Sequence, residues 1–258
     1  MKAALVVLEV GPDVEANVAA MEARVCEAAE AGADLVLFPE AAATGLINDD
    51  HPAHDLPLGQ PIPGPLTARL AARARQHALY VATGLLEREG DCLYDTAVLL
   101  GPTGALELKY RRIQPQWHGR NADPNVYREG DRIEVAATPF GRIAFLICGD
   151  LFDDAIVARL RQAGPDLLLF PFCRNFADGR IDRERWDREE ESAYAARVAL
   201  AGRTAFMVNL LEDPSLTEWP SFGGAMVVGA AGDVLARFPL GRPGILYVRL
   251  GGGCSPPA

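Results

Sequence analysis

An α/β fold of two related halves is what the sequence predicts, their sheets packed face to face in a four-layer α-β-β-α sandwich. Three observations predict it. Apolar runs of strand length alternate with stretches of helical period. The segment Ala31-Gly32-Ala33-Asp34-Leu35-Val36-Leu37-Phe38-Pro39 recurs as Ala163-Gly164-Pro165-Asp166-Leu167-Leu168-Leu169-Phe170-Pro171, and each copy follows a helix and opens a buried strand. A hairpin bearing Leu99-Gly101-Pro102-Thr103-Gly104 is echoed by Val228-Ala230-Ala231-Gly232. Periodicity alone leaves a doubly wound sheet open. The repeat favours two halves about a pseudo-twofold, with helices on the outer faces.

The elements follow in order. Ala4–Val10 reads as a strand, and Val14, Val18, Met21 and Val25 share one helical face that Asp13 caps. Asp34–Pro39 is the next strand, and Thr67–Leu79 a helix behind the turn-rich Pro61-Ile62-Pro63-Gly64-Pro65. Tyr80–Leu86, Tyr94–Leu100 and a run ending near Lys109 are strands. From Gln114 to Gly130 no period is visible, which marks a long surface loop. Ile133–Pro139 and Arg142–Cys148 form a hairpin closed at Phe140-Gly141; Asp154–Ala163 and Arg183–Gly202 are helical. Thr204–Leu210, Gly224–Gly229, Val234–Phe238 and Ile245–Leu250 complete the strands. Residues 1–250 are expected to form one domain, and the Gly/Pro-rich Gly251–Ala258 a disordered tail.

Composition narrows the function. The chain has 258 residues, a length that α/β chains often hold in one domain, and its 49% apolar and 23% charged content suits a globular enzyme. A formal net charge of −10 argues against a nucleic-acid groove and against attraction to an anionic membrane. The opening MKAALVVLEVGPDVEAN is too short an apolar run to span a bilayer and reads as a core strand, not a signal peptide. Five irregularly spaced cysteines, Cys26, Cys92, Cys148, Cys173 and Cys254, do not suggest a disulfide framework and fit a reducing cytoplasm. With no CxxC pair and no HExxH motif, no metal is expected; His51 and His54 sit in a proline-rich loop without a third ligand.

Three strings place a reactive side chain at the end of an apolar run: LVLFPEAAATGL around Glu40, LELKYRR around Lys109 and IAFLICGD around Cys148. A thiol at a strand end before a sharp turn is exposed while its backbone is rigid, and the Gly149 N–H is freed toward a substrate oxygen. A neighbouring cation favours the thiolate. A carboxylate directly after a buried run is partly desolvated, which moves it toward the working range of a general base. Taken singly, each has an ordinary explanation: an inert buried cysteine, a helix N-terminal charge, a surface lysine.

Together, and in this order, the strings resemble the nitrilase (carbon–nitrogen hydrolase) superfamily, from the N-terminus to about Pro239. The Lys109-Tyr110-Arg111-Arg112 run is similar to the family's Lys-Tyr-Arg-Lys-like run. The resemblance implies the four-layer sandwich and a Glu40, Lys109, Cys148 triad, with Lys109 and Gly149 forming the oxyanion hole. It places Asp123 where the family has a second glutamate, although Asp123-Pro124-Asn125 is also a turn signal. Trp117, His118, Cys173 and Arg174 are candidate pocket residues, Arg174 for a substrate carboxylate; packing and salt bridging are their ordinary alternatives. Cys148-Gly149-Asp150-Leu151-Phe152, Arg197-Val198-Ala199-Leu200-Ala201 and Gly223-Gly224-Ala225 depart from the family's usual strings, so the member is divergent. The implied activity is cofactor-free hydrolysis of a small amide or N-carbamoyl compound through a thioester. A glutaminase-like subunit, a nitrilase and a silent binding protein are the alternatives. A homodimer or larger homo-oligomer is expected.

Overall fold

The computed structural model describes residues 1–46 and 50–250; the expected tail and Cys254 lie outside them. The first half runs β1 (Lys2–Val7), β2 (Glu9–Val10), α1 (Val14–Glu30), β3 (Leu35–Leu37), α2 (Pro52–Asp55), α3 (Pro65–His77), β4 (Tyr80–Glu89), β5 (Cys92–Leu100) and β6 (Leu106–Arg111). The second runs β7 (Ala136–Thr138), β8 (Gly141–Phe145), a 3₁₀ turn (Cys148–Phe152), α4 (Asp154–Ala163), β9 (Leu167–Phe172), α5 (Arg183–Arg185), a π turn (Trp186–Glu190) and α6 (Glu191–Ala201). It ends with β10 (Thr204–Asn209), β11 (Leu211–Glu212), β12 (Ala225–Val228), β13 (Val234–Phe238) and β14 (Gly244–Arg249).

Two six-stranded sheets have the orders β14-β1-β3-β4-β5-β6 and β13-β12-β10-β9-β8-β7. Their internal logic is the same. β1, β3 and β4 are parallel, and β5 and β6 continue antiparallel. β8, β9 and β10 are parallel, and β12 and β13 continue antiparallel. This is the pseudo-twofold that the recurring sequence predicts. β14 crosses over to close the first sheet beside β1, which ties the halves together.

Alternation along the strands sorts their side chains between two cores. Ala3, Leu5, Val7, Leu35, Leu37, Ala97, Leu99, Leu108 and Tyr110 pack with the second sheet in one cluster. Ala4, Val6, Val36, Val81, Val98 and Leu100 join α1 and α3 in another, through Val18, Met21, Val25, Leu66, Leu70 and Ala74. Asp13 caps α1 as expected, its carboxylate accepting from the Ala16 N–H at 3.1 Å.

The differences from the sequence reading are local. The Ala4–Val10 run breaks after Val7, and β2 pairs with β11 of the other half instead. The Ile133–Pro139 strand shortens to Ala136–Thr138. The expected Arg183–Gly202 helix contains a π turn at Trp186–Glu190. Among the described residues, no helix is long and apolar enough to cross a membrane, and Cys26, Cys92, Cys148 and Cys173 are free thiols.

One glycine fixes how the chain leaves β3. Gly84 donates its N–H to the Pro39 carbonyl at 3.0 Å, and its own carbonyl accepts from Ala42 at 3.2 Å. A Cβ at Gly84 would lie 2.5 Å from the Glu40 Cα and 2.9 Å from the Ala41 N. Those are backbone atoms, so a side chain there forces the β3 exit to move. Gly84→Ala is expected to cost about 1–3 kcal/mol, the usual range for overpacking. Urea unfolding measures this, and an unchanged midpoint would show that the crossing tolerates a side chain.

Candidate active site

Cys148 follows β8 and opens the 3₁₀ turn. Its φ of +46° lies in the left-handed region, a cost of about 1–3 kcal/mol for a residue with a Cβ. Asp150 pins this turn. Its carboxylate is fully buried and accepts from the Ile147 N–H at 3.0 Å and the Tyr110 hydroxyl at 2.7 Å. It also accepts from the N–H groups of Ile113 at 3.1 Å and Gln114 at 2.8 Å. Burial pushes the Asp150 carboxyl up, and these bonds pull against it.

The Cys148 thiol contacts the Cys173 carbonyl at 3.4 Å and faces a cavity of about 480 Å³. Gln114, Gln116, Gly149, Phe152, Asp153, Arg174, Glu190 and Tyr194 complete its lining. A Cβ at Gly149 would meet Arg112 Nη2 and Gln114 Oε1 at 2.7 Å each, so a side chain there would displace both of these groups. The N–H groups of a helix's first turn have no intrahelical acceptor, so Gly149 offers a donor beside the thiol.

Glu40 is 0% exposed, in the turn after β3. Arg112 Nη1 donates to Glu40 Oε1 at 3.1 Å and to Asp95 Oδ2 at 3.4 Å. Its Nη2 donates to Gln114 Oε1 at 3.1 Å. Burial pushes the Glu40 carboxyl well above the ordinary carboxylate range; the charges of Cys148 and Asp95 act in the same direction, and Arg112 opposes them. Burial also raises Asp95, less effectively because Arg112 and Glu40 act against it. For Arg112 burial favours the neutral form, but the charges of Cys148, Glu40, Asp95 and Asp150 outweigh it and hold the guanidinium above its ordinary value.

The lysine of the expected triad is not here. Lys109 donates to Glu87 Oε1 at 2.8 Å and lines a separate surface groove with Arg111, Gly130, Asp131, Arg132 and Glu134. The reason is the period of two. Leu108 and Tyr110 point between the sheets, which puts Lys109 and Arg111 on the opposite face. Arg112, the last residue of the same basic run, returns to the inner face and supplies the cation. Lys109 therefore belongs neither to the triad nor to an oxyanion hole.

Other expectations also change. Asp123 is exposed, and its Oδ1 accepts from the Asn125 backbone at 2.9 Å and side chain at 3.0 Å. It is the turn residue that its neighbours signal, and it supports nothing at Cys148. Trp117 is buried against Tyr127 in a satellite core with Leu86 and Leu93, while His118 Nε2 meets Glu129 at 2.7 Å. Both are packing residues outside the cavity. The Cys173 thiol turns to the Ser221 hydroxyl at 2.8 Å, and only its carbonyl meets the Cys148 thiol. Arg174 does line the cavity, with its guanidinium engaged by Glu190, Nε to Oε2 at 2.9 Å. Among the described residues, no three of His, Cys, Asp or Glu gather as a metal set.

Sequence reasoning missed Arg112, Asp95, Gln114 and Tyr194. For two of them a signal existed. Arg112 is in step with Leu108 and Tyr110, and Asp95 with the inward Ala97 and Leu99. Gln114 and Tyr194 had none, since each reaches the cavity from a loop or helix whose docking the sequence does not specify.

Comparison with known proteins gives the family and the fold. The carbon-nitrogen hydrolase family model matches residues 2–252. An aliphatic nitrilase from Sinorhizobium fredii is 28% identical over 89% of this chain and 76% of its own length. The human deaminated glutathione amidase is 28% identical over 93% and 73% respectively. An amidase from Nesterenkonia sp. AN1, solved with acrylamide, shares the fold at a TM-score of 0.79 and 22% identity, covering 98% of this chain and 91% of that one. A carbon-nitrogen hydrolase from Helicobacter pylori G27 does so at 0.82 and 19%, covering 96% and 87%. The chain belongs to the carbon–nitrogen hydrolase family of the nitrilase superfamily, as a divergent member.

Proposed function

We propose that this protein hydrolyses the C–N bond of a small linear amide or N-carbamoyl compound through a thioester on Cys148. One observation carries the reading: a thiol on a strained turn opens to a cavity, with a buried carboxyl and a buried guanidinium behind it. The cavity is of a size that holds small ligands. Relatives of similar identity are named both as amidases, such as the human omega-amidase at 27%, and as nitrilases, such as the Sinorhizobium fredii enzyme at 28%, so both substrate classes belong in the test.

Glu40 takes the thiol proton as the sulfur attacks the substrate carbon. The oxyanion forms beside the Gly149 N–H and within the field of Arg112. Glu40 returns the proton to the leaving nitrogen, then draws one from a water that cleaves the thioester. Arginine suits a permanent positive charge here, because it stays protonated when buried whereas lysine readily loses its proton. It is a worse proton donor for the same reason, which leaves the proton traffic to Glu40.

Ammonia release from a panel of linear amides, N-carbamoyl compounds, glutamine and nitriles tests the reading. Cys148→Ala is expected to lose at least about a thousandfold in turnover. Wild-type protein that is folded yet inactive on the whole panel would favour a silent binding protein. Arg112→Gln should reduce kcat by about 100- to 1000-fold, the effect of removing one oxyanion-stabilising donor. Lys109→Ala should stay within about threefold of wild type, as surface changes usually do. A Lys109 variant as damaged as the Arg112 variant would restore the lysine to the mechanism.

A further inference from the structure

The centre contains a second carboxylate that the proposed steps do not use. Asp95 is 2% exposed, Glu40 0% and Arg112 3%. One guanidinium nitrogen, Arg112 Nη1, serves both acids. The remaining oxygens, Glu40 Oε2 and Asp95 Oδ1, are buried and receive no donor. Two buried carboxylates with one cation between them leave a negative charge unbalanced, and an orphaned buried acceptor is costly. A single proton on the pair reduces both penalties, because like charges in one site do not both ionise readily.

We propose that Asp95 is a positioning residue that shares one proton with Glu40 and so sets the pH at which Glu40 accepts the thiol proton. The proposal rests on the reading of Cys148 as nucleophile and Glu40 as its base. With the pair unprotonated, the S–H bond breaks as the C–S bond forms, and the proton moves to Glu40. There it is held against Asp95 while the electron pair of the C=O bond becomes the oxyanion. The same proton then leaves on the departing nitrogen. Asp95 makes Glu40 the stronger base by its charge and by sharing the proton, and never touches substrate.

Other groups facing this pair are few. Tyr110 and Arg112 come from β6 and its end, Cys148 and Asp150 from the nucleophile turn, Cys173 from the end of β9 and Tyr194 from α6. Burial raises Tyr110, Cys173 and Tyr194 well above their ordinary values, so they stay neutral through the working range. Asp150 is held by four donors. Glu40 and Asp95 are the groups that share Arg112 Nη1 and each keep one buried oxygen without a donor.

The test compares wild type with Asp95→Asn across pH, by kcat/KM on the best amide and by iodoacetamide alkylation of Cys148. A raised Glu40 is protonated and idle below its pKa and active above it. Removing the Asp95 charge must therefore move the acid limb down, by at least about one unit. kcat at the optimum should fall about tenfold, with KM for a neutral amide changed less than about twofold. An acid limb that coincides with wild type in a variant of unchanged melting temperature would overturn the proposal. If Asp95→Asn does not fold, infrared spectroscopy of the wild type decides. A protonated-carboxyl band that persists to about pH 6, well above an ordinary glutamate, and disappears in Glu40→Gln supports the shared proton; its absence overturns it. A shifted alkylation profile in a protein without amide turnover would support the carboxyl pair while overturning the hydrolase reading.

Discussion

The site depends on one buried carboxylate, that of Asp150. It lies two residues after Cys148 yet holds the first half of the chain as firmly as the second. Ile147 comes from the strand leading into Cys148; Tyr110, Ile113 and Gln114 come from β6 and the segment beyond it. A four-donor carboxylate of this kind locks the end of one sheet to the end of the other. Three consequences follow. The strained backbone at Cys148 is held in place, Gly149 is pressed against Arg112 and Gln114, and Arg112 is delivered to Glu40. No donor to Asp150 belongs to the reacting groups, so the clamp fixes geometry without joining the chemistry.

Around that clamp the electrostatics are built from a shortage of positive charge. Glu40, Asp95, Asp150 and the Cys148 sulfur share one buried cation, and each of them raises the proton affinity of Arg112. Outside the site the balance is reversed. Glu87 accepts from Lys109, Arg111 and Thr96, and they hold its carboxyl below the ordinary range although burial acts the other way. The two clusters stand on opposite faces of the same sheet. One is an ion-paired strand surface, whereas in the other burial raises the carboxyls of Glu40 and Asp95 against a single guanidinium.

Much of this was legible in the sequence. The two halves follow from a nine-residue repeat, because each copy faces the same problem of carrying a helix into a buried strand. Cys148 and Glu40 follow from a rule of placement, a polar group where an apolar run ends. Lys109 failed under that rule because a basic run offers three cations at a strand end, and only strand register chooses among them. Leu108 and Tyr110 hold the answer, since both must be buried. Asp123 failed for a different reason: the resemblance carries a position over along a loop, and here the Asp-Pro-Asn turn engages the residue at that position. The cavity's far wall was not legible at all. Glu190 and Tyr194 arrive from the π turn and α6, whose docking is a tertiary choice.

Pseudo-symmetry explains why such a fold has one centre. The equivalent exits are those after β1 and β8, and those after β3 and β9. At the first pair the chain continues as Leu8 in one half and turns at Cys148 in the other; at the second it presents Glu40 in one half, whereas Phe172 ends the strand in the other. Each half thus supplies one reactive group and fills the matching position with an apolar one. Phe172 packs against Phe170 and Tyr194 in the core. A glutamate there would place a fourth buried carboxylate near a centre that already has too few cations. The duplication therefore supplies the scaffold, and the asymmetry of two strand exits supplies the chemistry.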